Sequence, residues 1–345
     1  MTEYRLALLG QTCIDNLPHL QRDLVTPWQI GHWVPGEPLD ALNALTAGAD
    51  VIVTGSDALL TGHVFKAIAA AERLKFLQLP FAGFDWLKAD LLPAGSVACN
   101  AMGHEQTMAE YVLAAILEWE IGLRKMDADF RAGSWRYSGN SREPQSFHGE
   151  IYGKTLGLFG FGNIGREIVK RAEGFGLRTI AVARSERTPA PDGLEWYGTQ
   201  SQMDRLLAES DYLALVCDLN EETRHAVDAV ALAKMKSSAV LINVARGPVA
   251  EEQALYEALR SRTIAGAVLD TWYTYPFRPQ PGQPKEASPR PSRFPYHELD
   301  NLIMTPHCSA HSHGADIRRW HSIADNLNRY AEGRPLVHVI MKSAR

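Results

Sequence analysis

Three ionisable side chains stand at or just beyond the ends of short apolar runs. Arg246 follows AVLINVA (239–245), Asp270 closes IAGAVL (264–269), and His307 follows NLIMTP (301–306). In a doubly wound sheet the carboxyl ends of the strands face the ligand crevice, so charged residues there are site candidates. An imidazole titrates near neutral pH and can both give and take a proton. Taken alone, His307 is as readily a histidine bonded to nearby backbone. The fourth piece of chemistry is a turn. Gly160-Phe161-Gly162-Asn163-Ile164-Gly165 lies between an apolar strand, 155–159, and a helical pattern with Ile164, Ile168, Val169 and Ala172 on one face; a second strand, 179–183, follows. Strand, GxGxxG, helix and strand within roughly thirty residues form the frame of a dinucleotide site. Gly160 permits the tight turn, Gly162 lets a pyrophosphate approach the backbone, and Gly165 lets helix pack closely on strand. The pyrophosphate would rest on the helix N-terminus at Asn163 and Ile164, where N–H groups and the helix dipole favour an anion.

The end of the second strand bears on which dinucleotide. It reads Val182-Ala183-Arg184-Ser185-Glu186-Arg187. An NAD site usually holds Asp or Glu there, about twenty residues past the glycines, for the ribose hydroxyls. Here Ala183 takes the acidic place, and Arg184 with Ser185 suits a 2′-phosphate through forked, charge-assisted hydrogen bonds. NADP(H) is therefore expected, with NAD(H) possible. The alternative keeps Arg184 and Arg187 as solvated charges, with Glu186 reaching the ribose.

The rest of the chain must position these groups. At 345 residues it can bury two cores, and two domains are expected. A net charge of −5 gives no footprint for nucleic acid or an anionic membrane. No apolar run reaches the length of a membrane span, and MTEYRLALLG lacks a basic-then-apolar signal segment, so a cytoplasmic protein is expected. Cys13, Cys99, Cys217 and Cys308 fit neither disulfide nor zinc spacing. His307, His311 and His313 offer an i, i+4 pair, but no further ligand stands at metal spacing, and no metal is expected.

Strands and helices alternate throughout, which implies an α/β fold with doubly wound parallel sheets. Strands are expected at 5–9, 50–54, 74–79 and 96–100, and helices at 39–47, 59–72 and 105–131. The last of these carries apolar residues on too many faces for one partner, so it either lies between domains or supports a dimer contact. Beyond the glycine turn come helices at 203–209, 229–235 and 251–261 and strands at 211–217, 239–244, 264–269 and 301–304. A helix at 316–332 and a strand at 336–340 close the chain. The turn Pro80-Phe81-Ala82-Gly83-Phe84-Asp85 exposes backbone N–H groups that can hold a carboxylate, although such turns more often merely connect elements. The proline-rich stretch 276–297 reads as a long loop, a lid or a subunit contact.

Taken together, LQLPFAGFD (77–85), CNAMGHEQTMAEYVL (99–113), the glycine turn, NVARGPV (243–249), AGAVLDTW (265–272) and LDNLIMTPHCS (299–309) resemble the D-isomer-specific 2-hydroxyacid dehydrogenases, with formate dehydrogenase as a cousin. The resemblance covers nearly the whole chain. It implies a split substrate domain (1–101 and 306–345, flavodoxin-like) with a cofactor-binding Rossmann domain (102–305) inserted in it, and a homodimer. It implies that Arg246 binds the carboxylate of a 2-oxo or 2-hydroxy acid and polarises its carbonyl. His307 would be the general acid or base, and the backbone of Phe81, Ala82 and Gly83, with Asn100 nearby, would hold the substrate. Asp270 would face the nicotinamide, and Cys217, Thr223, Val244, Ala245 and Ser309 would complete the cofactor lining.

One position departs from the pattern. Family members usually place Glu five residues after the Asp, where it pairs with the histidine; Asp270-Thr271-Trp272-Tyr273-Thr274-Tyr275-Pro276 has Tyr275 there. A phenol can orient an imidazole only by a hydrogen bond, and without the carboxylate the histidine is expected to titrate lower than in relatives that keep it. Tyr275 reads equally as packing, and with Trp272, Tyr273 and Phe277 it either walls a pocket for a bulkier substrate or packs the proline-rich loop. The expected function is an NADP(H)-preferring 2-oxoacid reductase. The rivals are a formate-dehydrogenase-like enzyme and a dinucleotide sensor with little turnover.

Overall fold

The computed structural model describes residues 4–142, 146–275 and 290–344. The chain divides into two compact units, one formed by Met1–His104 with His311–Arg345 and the other by Glu105–Ala310, inserted between them. The sequence expectation puts the crossings at 101/102 and 305/306. The observed ones fall a few residues later, so His307 travels with the inserted unit.

In the outer unit, strands β1 (Tyr4–Leu9), β2 (Trp28–Trp33), β3 (Val51–Thr54), β4 (Phe76–Gln78) and β5 (Val97–Cys99) are joined by a C-terminal strand, Val339–Lys342. The sheet order is Val339–Lys342, β5, β4, β3, β1, β2, a flavodoxin-like arrangement. β1 to β5 run parallel, and the C-terminal strand pairs antiparallel to β5 with an irregularity between Val339 and Met341. An edge position tolerates that reversal because only one neighbour constrains it. Alternate residues of the central strands feed opposite faces: Ala7, Leu9 and Ile52 enter one core, and Leu6, Leu8, Val51 and Val53 the other.

The inserted unit holds β6 (Thr155–Phe159), β7 (Arg178–Ala183), β8 (Trp196–Thr199), β9 (Tyr212–Leu215), β10 (Val240–Asn243), β11 (Gly266–Leu269) and β12 (Leu302–Met304). They form one parallel sheet in the order β12-β11-β10-β9-β6-β7-β8. Every residue of β6, β9, β10 and β11 is buried, as parallel strands covered on both faces require. Leu213, Leu215 and Leu241 pack on one side, and Leu156, Leu158, Ala214 and Ile242 on the other. Burying each such side chain contributes about 1.5–3 kcal/mol, so this sheet is the rigid base for whatever its strand ends carry.

Two expected helices are interrupted, each at a glycine. The 105–131 helix is two, Glu105–Ile121 and Leu123–Arg131, separated by Gly122 at φ 68°. The 59–72 helix becomes Ser56–Leu59 and His63–Ala69 around Gly62 at φ 73°. A left-handed residue ends a helix, and glycine reaches that conformation without steric cost. Met108, Val112 and Ile116 of the first helix share a core with Ile168 and Val169, so much of its apolar surface is satisfied inside the inserted unit. β2 and β8 were not expected. Both are edge strands with half-exposed residues, so neither shows a continuous apolar run.

Candidate active site

Arg246, Asp270 and His307 follow the carboxyl ends of β10, β11 and β12, three strands adjacent in one sheet. Asn243 shapes the first of these exits. Its side-chain amide donates to the Arg246 carbonyl at 3.0 Å, and its Oδ1 accepts from the Ala245 N–H at 3.1 Å. Gly247 is required next, because a Cβ there would stand 2.4 Å from the Trp272 carbonyl oxygen. Val244 and Ala245 are buried, and the half-buried Arg246 donates from Nη1 to the Ala245 carbonyl at 2.7 Å.

Asp270 is fully buried and grips the segment that carries His307. Oδ1 accepts from Thr305 Oγ1 at 2.6 Å and from the Cys308 N–H at 2.8 Å, and Oδ2 accepts from the Ser309 N–H at 2.9 Å. Burial pushes this carboxyl up, but the hydrogen bonds from Ser309, Thr305 and Cys308 outweigh it and hold the group below the usual aspartate range. Tyr111, whose phenol burial raises to about 12, reaches Thr305 Oγ1 from the helix Glu105–Ile121 and extends the chain of donors. Both Asp270 oxygens therefore buttress the 305–309 turn that carries His307.

His307 sits in that turn at φ 60°, a left-handed conformation uncommon for any residue with a side chain, though less so for asparagine, aspartate and histidine. Such a residue costs on the order of 1–3 kcal/mol and persists only when its surroundings fix it. Here Asp270 fixes it by holding the next two backbone N–H groups. The Tyr275 hydroxyl lies 2.9 Å from His307 Nδ1, and the Trp272 N–H donates to the same hydroxyl at 3.0 Å. Trp272 is itself anchored by Nε1 donating to the Thr305 carbonyl at 2.8 Å. Tyr275, at the position where the sequence resemblance leads one to expect Glu, reaches the histidine. Trp272 and Tyr273 pack into the core, the latter donating to the Ala250 carbonyl, so those two rings support the packing reading rather than a pocket wall. Phe277, and 276–289 of the proline-rich stretch, lie outside the described residues.

The glycine turn joins β6 to the helix Asn163–Ala172. Gly160, at φ 105°, lets the turn pass Cys217, whose Cα and N would be 2.7 Å from an added Cβ. Gly165 is buried, and a Cβ there would crowd Phe161 at 3.1 Å. Gly162 differs: its φ of −97° suits any residue, and an added Cβ would meet nothing within 4 Å. The turn thus leaves a methyl-sized opening beside the first turn of a ten-residue helix, which fits a pyrophosphate approaching the backbone. Arg184 and Ser185 are exposed at the end of β7. Thr223 Oγ1 accepts from Asn220 N–H and donates to the Asp218 carbonyl, so this hydroxyl shapes its own turn.

In the outer unit the turn after β4 carries Phe81, Ala82 and Gly83, all partly exposed. Asn100, just past β5 and 4% exposed, donates from Nδ2 to the Ala82 carbonyl at 3.0 Å. It therefore fixes the turn expected to receive a carboxylate. The sequence reading missed Trp272 and Tyr111 as supports of the histidine. The signal for Trp272 lies in its own motif, two residues past Asp270; nothing local marks Tyr111.

Residues 113–309 match the family description "D-isomer specific 2-hydroxyacid dehydrogenase, NAD binding domain". A glyoxylate reductase of Thermococcus onnurineus is 32% identical over 317 residues, covering 90% of this chain and 87% of that one. A hydroxypyruvate reductase of Thermotoga maritima is 30% identical over 282 residues, covering 81% and 84%. Among solved structures, a D-isomer specific 2-hydroxyacid dehydrogenase from Xanthobacter autotrophicus, in complex with NADPH and MES, superposes with a TM-score of 0.76 at 23% identity, covering 98% of each chain.

Proposed function

Because the chain belongs to the D-isomer-specific 2-hydroxyacid dehydrogenase family, we propose that it interconverts a 2-oxo acid and a D-2-hydroxy acid, chiefly as a reductase using NADPH. The observation that carries this reading is the imidazole of His307, held in a strained turn with Nδ1 bonded to Tyr275. When bound, the dinucleotide supplies the hydride. Arg246 binds the substrate carboxylate and draws electron density from the neighbouring carbonyl. His307 holds a proton on Nε2 and gives it to the oxygen that becomes the hydroxyl, or takes it back in the reverse direction.

Tyr275 is a positioning residue in this scheme. The acid form is the imidazolium, which gives up its Nε2 proton and keeps the one on Nδ1. The Tyr275 oxygen, which also accepts from the Trp272 N–H, accepts from Nδ1–H before and after that transfer. One contact thus holds the ring in both states without a charge on the partner. Asp270 acts through the turn it holds. Within the outer unit, Phe81, Ala82 and Gly83 offer backbone donors that suit a carboxylate, and Asn100 sets their geometry. Asn163, Ile164, Arg184, Ser185, Cys217 and Thr223 belong to the cofactor side. The Arg184–Ser185 pair, with no acidic residue at Ala183, supports NADP(H) over NAD(H). The enzyme acts as a homodimer.

The test is steady-state turnover of a 2-oxoacid series, from glyoxylate to phenylpyruvate, with NADPH and NADH in parallel. NADPH oxidation that requires a 2-oxo acid and disappears in His307→Ala supports the reading. Tight NADPH binding with no turnover of any acid would replace it with a dinucleotide sensor.

A further inference from the structure

β7 ends at Ala183, and the segment that leaves it carries Arg184 and Ser185, then Glu186 and Arg187. Arg184, Ser185 and Glu186 are exposed, whereas Arg187 is half-buried and engaged. Arg187 Nη2 donates to the carbonyl of Phe161, the residue between the first two glycines of the turn, at 3.2 Å. Its guanidinium carbon lies 5.8 Å from the centre of the Phe161 ring and 5.9 Å from that of Tyr197. Those two rings meet edge-on with centres 5.9 Å apart, and Tyr197 donates its hydroxyl to the Ser185 carbonyl at 2.7 Å. Phe161 is buried and confined on another side by Gly165.

Arg187 is therefore not a solvated charge. It joins the glycine turn, which receives the pyrophosphate, to the segment bearing Arg184 and Ser185. We infer that Arg187 and Tyr197 are positioning residues for dinucleotide selectivity, clasping the Arg184–Ser185 segment at a fixed distance from the glycine turn. The inference rests on the NADP(H) reading above. A guanidinium suits the place because its flat face covers aromatic rings while its edge donates to a carbonyl; an ammonium has no such plane. A 2′-phosphate and a pyrophosphate belong to one rigid ligand half, so selectivity demands that their two protein cradles keep a constant spacing.

The experiment measures KM for NADPH and for NADH, with kcat, in wild type, Arg184→Ala, Arg187→Ala, Tyr197→Phe and Arg184→Ala/Arg187→Ala. Arg187→Ala is expected to lower the KM preference for NADPH by about five- to tenfold, the size of two lost cation–π contacts. The rise should appear in KM for NADPH more than in kcat. Tyr197→Phe, which keeps the ring and loses only the bond to Ser185, should shift the preference in the same direction by less. Arg187→Lys should not restore it. In the Arg184→Ala background, Arg187→Ala should cost little more, because its effect runs through Arg184. Additive losses in the double variant would overturn the inference and make Arg187 a direct phosphate ligand. An unchanged preference in both Arg187→Ala and Tyr197→Phe would also overturn it while leaving the NADP(H) reading intact. A wild type without preference for NADPH would remove that reading and the inference together.

Discussion

At His307, Nδ1 is bonded to Tyr275, and in the proposed mechanism Nε2 is the nitrogen that exchanges a proton with substrate. Replacing His307 with Ala should lower kcat by about 10²–10⁴-fold, the usual worth of a positioned acid or base. Tyr275→Phe keeps the ring volume and removes the bond, so kcat/KM should fall by about tenfold, equivalent to one well-placed hydrogen bond to a group that becomes charged. Tyr275→Glu puts an anion beside the imidazole and should carry the alkaline limb of the reduction rate to higher pH by about one unit or more. A pH–rate profile reads this directly, and an unmoved limb would mean that the glutamate does not reach Nδ1. Asp270 leads to a stability prediction with a definite sign. Its carboxyl is held below the ordinary aspartate range, so its contribution is fully present above the unfolded pKa of about 4 and is lost as pH falls through the lower folded value. Asp270→Asn should therefore lower the melting temperature at neutral pH, with the gap to wild type narrowing as the solution is acidified into that range. Thermal unfolding at pH 7 and at pH 3 checks it. The sequence displays Asp270 and His307 plainly, yet the φ of 60° at His307 and its contact with Tyr275, thirty-two residues away in the chain, depend on how β11 and β12 leave the sheet.

Among the elements, the glycine turn separates folding from binding. Gly160→Ala would force a Cβ into a positive φ and within 2.7 Å of the Cys217 backbone, so it should destabilise the inserted unit. Gly162→Ala meets no protein atom within 4 Å and has an ordinary φ. Its methyl instead occupies the opening beside the helix N-terminus. The expected outcome is a melting temperature close to wild type without ligand, with dinucleotide affinity reduced at least tenfold, a loss of about 1.4 kcal/mol. Fluorescence titration with NADPH and thermal unfolding of the same preparation distinguish the two glycines. Unimpaired binding in Gly162→Ala would show that the pyrophosphate does not approach there. This turn was legible in the sequence because the strand, the glycines and the helix are contiguous. The helix breaks at Gly62 and Gly122 were not, since apolar periodicity continues across each glycine and only the backbone reveals the left-handed turn. Edge strands β2 and β8 escaped for the opposite reason: solvent on one side erases the apolar run by which β9, β10 and β11 announce themselves.

For the molecule as a whole, one sheet gathers Arg246, Asp270 and His307 at neighbouring strand ends, although sixty residues of chain separate the first from the last. That juxtaposition follows from β10, β11 and β12 being successive parallel neighbours, an arrangement that the alternation of elements was enough to anticipate. The sequence marks the 105–131 helix as a candidate contact with a second chain, but which of its side chains are exposed is a property of the fold. The inserted unit exposes Leu123, Phe130, Trp135, Phe147 and Tyr152 within thirty residues, with Trp135 71% exposed. Phe130 and Trp135 meet edge-on with ring centres 5.0 Å apart. Single exposed apolar residues are ordinary, but large rings gathered in one stretch favour contact with another protein surface. In the proposed homodimer this stretch faces its counterpart. Light scattering should then give twice the chain mass of 38.2 kDa at micromolar concentration, and Phe130→Ser/Trp135→Ser should shift the protein toward monomer. Neither serine touches the sheet that carries His307, so far-UV dichroism should be unchanged while the mass falls. A wild type that is monomeric at these concentrations would overturn the homodimer, and the exposed rings would then have to be covered by something other than a second copy.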